Sequence, residues 1–166
     1  VSCPRVYFYK AKNINTKKSV IICPGGGFKF LAINQEGREL AKKLTHYGIN
    51  AFVFYYKIHP IFQKRLNEEY TVPREKILST ASLDLQQVIH HIRKSKDLNI
   101  NPNNIGLIGF SAGGSLAVET VLSSSTSDKP NFLAAVYTGN WITKSTSPPK
   151  NTPLFLSCSK DDPLGL

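Results

Sequence analysis

The sequence predicts an α/β fold, a mostly parallel sheet with helices on both faces. Three observations carry that expectation. First, short and continuously apolar runs recur at Ser19–Cys23, Asn50–Tyr56, Ile105–Ile108, Phe132–Tyr137 and Pro153–Cys158. Runs without polar alternation read as strands covered on both faces, as in parallel sheets. Second, Glu36–Tyr47 and Glu75–Lys96 carry apolar residues at helical spacing. Strand and helix therefore alternate as βαβ units require. Third, Pro24–Phe28, Gly109–Gly114 and Ser159–Asp162 each follow a strand. In a parallel sheet such loops leave the carboxyl ends together, on the side where ligands bind.

Taken in order, Arg5–Tyr9 (R-V-Y-F-Y) reads as an edge strand and Ala11–Lys18 as a polar turn. The β-branched run S-V-I-I-C at Ser19–Cys23 stops abruptly at Pro24-Gly25-Gly26-Gly27-Phe28. Leu40, Leu44 and Tyr47 mark one face of a helix over Glu36–Tyr47, with Gly48 placed to cap its end. Asn50–Tyr56 is a buried strand. Lys57–Arg74 breaks the rhythm with Pro60, Pro73 and mixed charge, and reads as an excursion that could form a lid. Glu75–Lys96 is a long amphipathic helix with Ala81, Leu85, Val88, Ile89 and Ile92 on one stripe. Asn99–Asn104 has turn chemistry, and the helix after Gly109–Gly114 runs to about Leu122. Ser123–Pro130 is a polar loop, and Ile142–Asn151 is Ser/Thr/Pro-rich and irregular. No internal repeat and no linker divides the chain, so residues 1–166 are read as one domain.

At 41% hydrophobic and 19% charged residues, the 166-residue chain can build a core. Its net charge of +10 raises the question of nucleic acid. The basic residues are scattered as pairs, Lys17-Lys18, Lys42-Lys43, Lys64-Arg65 and Arg93-Lys94, without interleaved aromatics. They read as a solvated surface rather than a nucleic-acid site, with an anionic substrate or surface left open. Cys3, Cys23 and Cys158 form no CxxC and no zinc spacing, so neither a disulfide framework nor a metal site is expected. Cys23 and Cys158 end apolar runs and are expected as buried free thiols. No apolar stretch approaches 18 residues, and no signal peptide is visible. The reading is a chain without a membrane span, cytoplasmic in preference to secreted. Because it begins at Val1 and contains no Met, its native start is expected upstream.

The chemistry centres on Asn104–Gly114, N-I-G-L-I-G-F-S-A-G-G. Gly109–Gly113 fits G-x-S-x-G in the strand–turn–helix context of a nucleophile elbow. Such a turn lifts Ser111 Oγ clear of the sheet edge and sets it over a helix N-terminus, where negative charge is favoured. The plainer alternative is a glycine-rich βα turn. A Walker-type phosphate loop is excluded by the missing G-x-x-x-x-G-K-[ST]. A serine nucleophile needs N–H donors for the tetrahedral oxyanion and a base for its proton. Ala112 supplies one N–H. Gly26 and Gly27 are the expected partners, in a loop similar to the H-G-G-G loop of lipases and esterases, with Pro24 in the histidine's place. Asp161, just past a strand, is the candidate acid that orients the base. Asp162 competes with it, and an Asp-Asp-Pro turn is the structural alternative. The histidines are His46, His59, His90 and His91. In the order Ser…Asp…His the base must follow Asp161, where five residues remain. The catalytic histidine, with a last strand and helix, is therefore expected beyond this chain. His59, in the excursion, is the one histidine present that could approach the site.

Three segments together carry a family resemblance: I-I-C-P-G-G-G-F…L-A-I-N-Q-E-G…A-K-K-L…Y-G-I-N-A-F-V-F-Y-Y-K, then N-I-G-L-I-G-F-S-A-G-G-S-L-A, then P-L-F-L-S-C-S-K-D-D. Over roughly residues 5–162 the chain resembles α/β-hydrolase esterases of the BD-FAE and acetyl-xylan-esterase-like group, close to the prolyl-oligopeptidase-type hydrolases. The resemblance implies the α/β-hydrolase fold and a serine carboxylesterase acting on short-chain or sugar acetyl esters through an acyl-enzyme. It implies no metal or organic cofactor, and a small-molecule or carbohydrate ester as partner. By position, Ser111 matches the nucleophile, Gly26, Gly27 and Ala112 the oxyanion hole, and Asp161 the triad acid. Ser115 departs from the histidine many members carry there. The rival readings are a hydrolase-like module that binds without catalysis, a prolyl-oligopeptidase-type peptidase, and a nucleic-acid binder.

Overall fold

The computed structural model describes residues 3–12, 16–58, 74–125, 127–139 and 151–162. Within them the chain forms strands β1 (Arg5–Tyr9), β2 (Ser19–Cys23), β3 (Asn50–Tyr55), β4 (Ile105–Phe110), β5 (Phe132–Val136) and β6 (Leu154–Ser157). The helices are α1 (Leu40–His46), α2 (Arg74–Lys94) and α3 (Ala112–Ser123). One sheet holds the strands in the order β1-β3-β2-β4-β5-β6. All neighbours run parallel except β1, which lies antiparallel to β3 with Arg5 opposite Tyr55 and Tyr9 opposite Ala51. The expected architecture is therefore the one observed.

The apolar runs explain why the sheet is covered on both sides. Side chains alternate across a strand, so each apolar run feeds two cores. Ile21, Phe52, Phe54 and Leu107 join Leu78, Leu85 and Ile89 of α2 and Leu116 and Val121 of α3 on one face. Val20, Ile22, Ala51 and Val53 meet Ala41, Leu40 and Leu44 of α1 on the other. β2 is buried along its whole length, and the one polar side chain in it, Ser19, has a buried hydroxyl with no hydrogen-bond partner among the described residues, a local cost within an otherwise apolar strand.

Three expectations needed correction. The helix expected over Glu36–Tyr47 starts earlier, as a wide π-type turn at Ile33–Glu39 that passes into α1. The turn widens where Gly37 lies against the sheet; a Cβ there would come within 2.9 Å of Val53 Cγ1. Cys158 is exposed, not buried. It follows β6, the last strand of the sheet order, in which all four residues are exposed. Arg93 is not simply solvated. Near the end of α2 it donates to the carbonyl oxygens of Pro102 at 2.9 Å, Lys129 at 2.8 Å and Ser127. It thereby brackets the loops that precede β4 and β5. The excursion at 57–74 lies outside the described residues from His59 to Pro73, and so does most of the irregular segment Ile142–Asn151. Among the described residues no helix is long and apolar enough to cross a membrane.

Candidate functional site

Parallel pairing brings the carboxyl ends of β2, β4, β5 and β6 to one sheet edge, with Cys23 opposite Gly109, Gly109 opposite Ala135, and Val136 opposite Ser157. Ser111 stands at the middle of that edge, between β4 and the first residue of α3. Its backbone sits at φ 49°, ψ −120°, a region that side chains larger than glycine's hydrogen enter at a cost of roughly 1–3 kcal/mol. The turn is held from both sides. The Ser111 N–H donates to the Val136 carbonyl at 3.0 Å, and the Ser111 carbonyl accepts from the Ser115 N–H at 3.0 Å. Its hydroxyl makes no capping bond to the helix, so among the described residues Oγ is uncommitted beside the positive end of α3.

Close packing explains the glycines around this turn. A Cβ at Gly109 would lie 2.3 Å from the Gly113 carbonyl oxygen. One at Gly25 would lie 3.0 Å from the Phe110 carbonyl oxygen and 3.1 Å from Ser111 Cβ. The Gly25–Gly27 loop is therefore pressed against Ser111. It coils tightly, with Lys29 and Phe30 N–H bonding the Gly26 carbonyl and Ala32 N–H bonding the Gly25 carbonyl. Gly26 has φ +129° and Gly27 φ +61°. The N–H groups of Gly26 and Gly27 make no hydrogen bond to another described residue. The loop is anchored at its base by Tyr56, fully buried, whose hydroxyl donates to the Pro24 carbonyl at 2.6 Å. Phe28 packs beside it with ring centroids 5.4 Å apart. Burial pushes the Tyr56 phenol well up, so it remains a donor.

Two side chains join these loops, of which the sequence marked Ser115 and not Glu36. Glu36, in the wide turn before α1, accepts the Gly25 N–H on Oε2 at 2.5 Å. Its Oε1 accepts the hydroxyl of Tyr137, which follows β5. No local pattern marks Glu36; it read as the start of a helix. Ser115 donates its hydroxyl to the Gly139 carbonyl at 2.9 Å and is buried. The departure from histidine at this position thus ties α3 to the loop after β5.

The expected site residues are brought together only in part. Ser111, Ala112 and the Gly25–Gly27 loop form one cluster. Asp161 lies at the same edge beyond β6, two strands from β4 and exposed, with its N–H on Ser159 Oγ at 3.4 Å. Its carboxylate makes no hydrogen bond to Ser111. The described histidines sit elsewhere. His46 bonds the Lys42 carbonyl within α1 at 2.7 Å, and His90 pairs with Asp128 at 2.9 Å. The His90 hydrogen bond holds the Asp128 carboxyl below its ordinary value. These helix ends, with the exposed His91, return the chain toward the opposite sheet edge. His59 lies outside the described residues. Among the described residues no group of three His, Cys, Asp or Glu could hold a metal ion.

Residues 7–140 match the family model described as BD-FAE. An acetylxylan esterase of Xylanibacter ruminicola is 31% identical over 121 residues, a match covering 72% of this chain and 22% of that protein. Among solved structures, an acetyl ester-xyloside bifunctional hydrolase from Caldicellulosiruptor lactoaceticus superposes with a TM-score of 0.68 at 24% identity, over 92% of this chain and 65% of that one. An α/β hydrolase enzyme from a Medee basin deep-sea metagenome superposes with a TM-score of 0.63 at 26% identity, over 92% of this chain and 62% of that one. The chain thus spans about a fifth of the curated relative and less than two thirds of the two solved chains. Topology and superposition together show the α/β-hydrolase fold.

Proposed function

The chain belongs to the BD-FAE family, and from that premise we propose that the protein is a serine carboxylesterase hydrolysing short-chain or sugar acetyl esters through an acyl-enzyme. The observation that carries the reading is the Ser111 backbone, at φ 49° and ψ −120° between β4 and α3. A strained serine pressed against a glycine loop with unused N–H groups is costly to maintain for packing alone.

In this reading Ser111 Oγ adds to the ester carbonyl carbon, and its proton passes to a histidine oriented by Asp161. The carbonyl π pair moves onto oxygen, and the oxyanion accepts hydrogen bonds from the N–H groups of Gly26, Gly27 and Ala112. Collapse expels the alcohol, which takes the proton back from the imidazolium. Water then adds to the acyl-serine by the same route, releasing the carboxylic acid and restoring the Ser111 hydroxyl. The relative named acetylxylan esterase supports an acetylated carbohydrate as the substrate class.

The test uses the native full-length protein. Wild type and Ser111→Ala are assayed on p-nitrophenyl acetate and on acetylated xylan, and the wild-type acyl-enzyme is sought by rapid quench and mass spectrometry. We expect a loss of at least about 10³-fold in Ser111→Ala and an acetyl adduct on the peptide that contains Ser111. Equal rates in the two proteins would sink the esterase reading and favour a hydrolase-like module that binds without catalysis.

A further inference from the structure

We propose that Glu36 is a positioning residue of this site, bridging the Gly25 N–H and the Tyr137 hydroxyl so that the glycine loop is held with its next two N–H groups open toward Ser111. The proposal rests on the reading of Ser111 as nucleophile and adds a residue to it.

Strand order is what gives Glu36 this reach. Gly25 follows β2 and Tyr137 follows β5, while β4 and its Ser111 turn lie between them. A carboxylate bonded to both therefore crosses the sheet edge at Ser111. The Cβ that an alanine would place at Gly25 falls 2.9 Å from Glu36 Oε2 and 3.1 Å from Ser111 Cβ, so carboxylate and serine flank the same glycine. By taking the first N–H of the loop, Glu36 fixes the peptide plane from which Gly26 and Gly27 continue. Of the loop's three glycines, Gly26 and Gly27 then keep N–H groups that bond no other described residue.

Two further features fit this assignment. Glu36 lies in the wide π-type turn at Ile33–Glu39, a geometry that recurs at functional sites. Tyr137 holds φ 38°, unusual for a residue with a side chain, and its ring packs beside Phe110 with centroids 6.0 Å apart. Burial first, and the Glu36 carboxylate second, push the Tyr137 phenol up. It therefore stays protonated and donates to Glu36. Two donors on one carboxylate also soften the negative charge that would otherwise oppose an oxyanion nearby.

The experiment compares Glu36→Ala, Glu36→Gln and Tyr137→Phe with wild type in the native full-length protein. Rates are taken per competent serine, counted by fluorophosphonate titration, so that loss of folded protein does not register. Misplacing oxyanion donors typically costs about 10²–10³-fold in turnover. We expect Glu36→Ala to lose about 10²-fold in kcat with KM changed little, and to lose affinity for a boronic-acid transition-state analogue in parallel. Glu36→Gln retains an acceptor for Gly25 and an N–H for Tyr137, and should recover most of that loss. Tyr137→Phe removes one hydrogen bond and should lose about 5-fold; it keeps the test open if Glu36→Ala fails to fold. A lowered melting temperature with kcat and analogue affinity per competent serine unchanged would overturn the proposal. The amide proton of Gly25, followed by NMR, separates this failure from failure of the esterase reading. It should shift upfield in Glu36→Ala whether or not the protein is an esterase, and an unmoved Gly25 resonance would overturn the bridge itself.

Discussion

Gly113 lies so close to the end of β2 that a Cβ on it would fall 2.0 Å from the Cys23 carbonyl oxygen and 2.5 Å from that of Pro24. The first turn of α3 thus rests directly on the root of the glycine loop. This contact limits how closely the start of α3, and with it Ser111, can approach the root of that loop. In an ordinary helix Gly→Ala stabilises by about 1 kcal/mol. Here the clash is with backbone, which cannot swing aside. Gly113→Ala should therefore destabilise by about 1–3 kcal/mol or more, read as a lower urea midpoint. Esterase activity should fall further than the folded fraction does. An unchanged or raised midpoint would mean that α3 can withdraw from β2 freely.

Ser111 itself is a second place where stability and function oppose each other. At φ 49° and ψ −120° its backbone is strained, while its side chain bonds nothing in the helix it precedes. Ser111→Gly relieves the strain, about 1–3 kcal/mol, against an added entropic cost of about 0.5–1 kcal/mol. The net expectation is a variant about 1 kcal/mol more stable, with a higher melting temperature and no esterase activity. A drop in melting temperature would show that the Ser111 side chain has packing partners that outweigh its strain.

How legible this was in the sequence depended on the range of the interactions. The β2 and β3 runs could be read because burial on both faces leaves a local record, an unbroken apolar string. Ser111 and Gly25–Gly27 could be read because a turn that admits only glycine at certain positions must spell them out. Glu36 could not be found this way. Its partners Gly25 and Tyr137 are brought to it by the sheet, and nothing beside it in sequence announces them. Arg93 was misjudged for the same reason, because its carbonyl partners near residues 102, 127 and 129 belong to loops that only the fold assembles. Cys158 differs from its expectation because an apolar run records a tendency to be buried, and no described residue covers β6.

Alkaline pH tests the buried end of the glycine loop. Burial pushes the thiol of Cys23 up, and likewise the phenols of Tyr56 and Tyr137. In the unfolded chain these groups ionise at ordinary values, about 8.5 for Cys and about 10 for Tyr. A group whose folded value is raised contributes stability that is fully present below its unfolded value and lost as pH rises beyond it. The unfolded state then releases a proton that the folded state keeps. Cys23 acts first, from about pH 8.5, with a slope approaching about 1.4 kcal/mol per pH unit. Urea midpoints at pH 7, 9 and 10 should therefore decline for wild type. They should decline less for Cys23→Ala, whatever that variant loses at pH 7 through its cavity. Labelling with iodoacetamide at neutral pH, read on the peptide that contains Cys23, gives a second readout, with Cys23 labelled only on unfolding. Identical slopes for wild type and Cys23→Ala, or labelling of Cys23 in the folded protein, would mean that water reaches the end of β2. The packing of Gly113 on that strand would then be looser than the Cys23 contact requires.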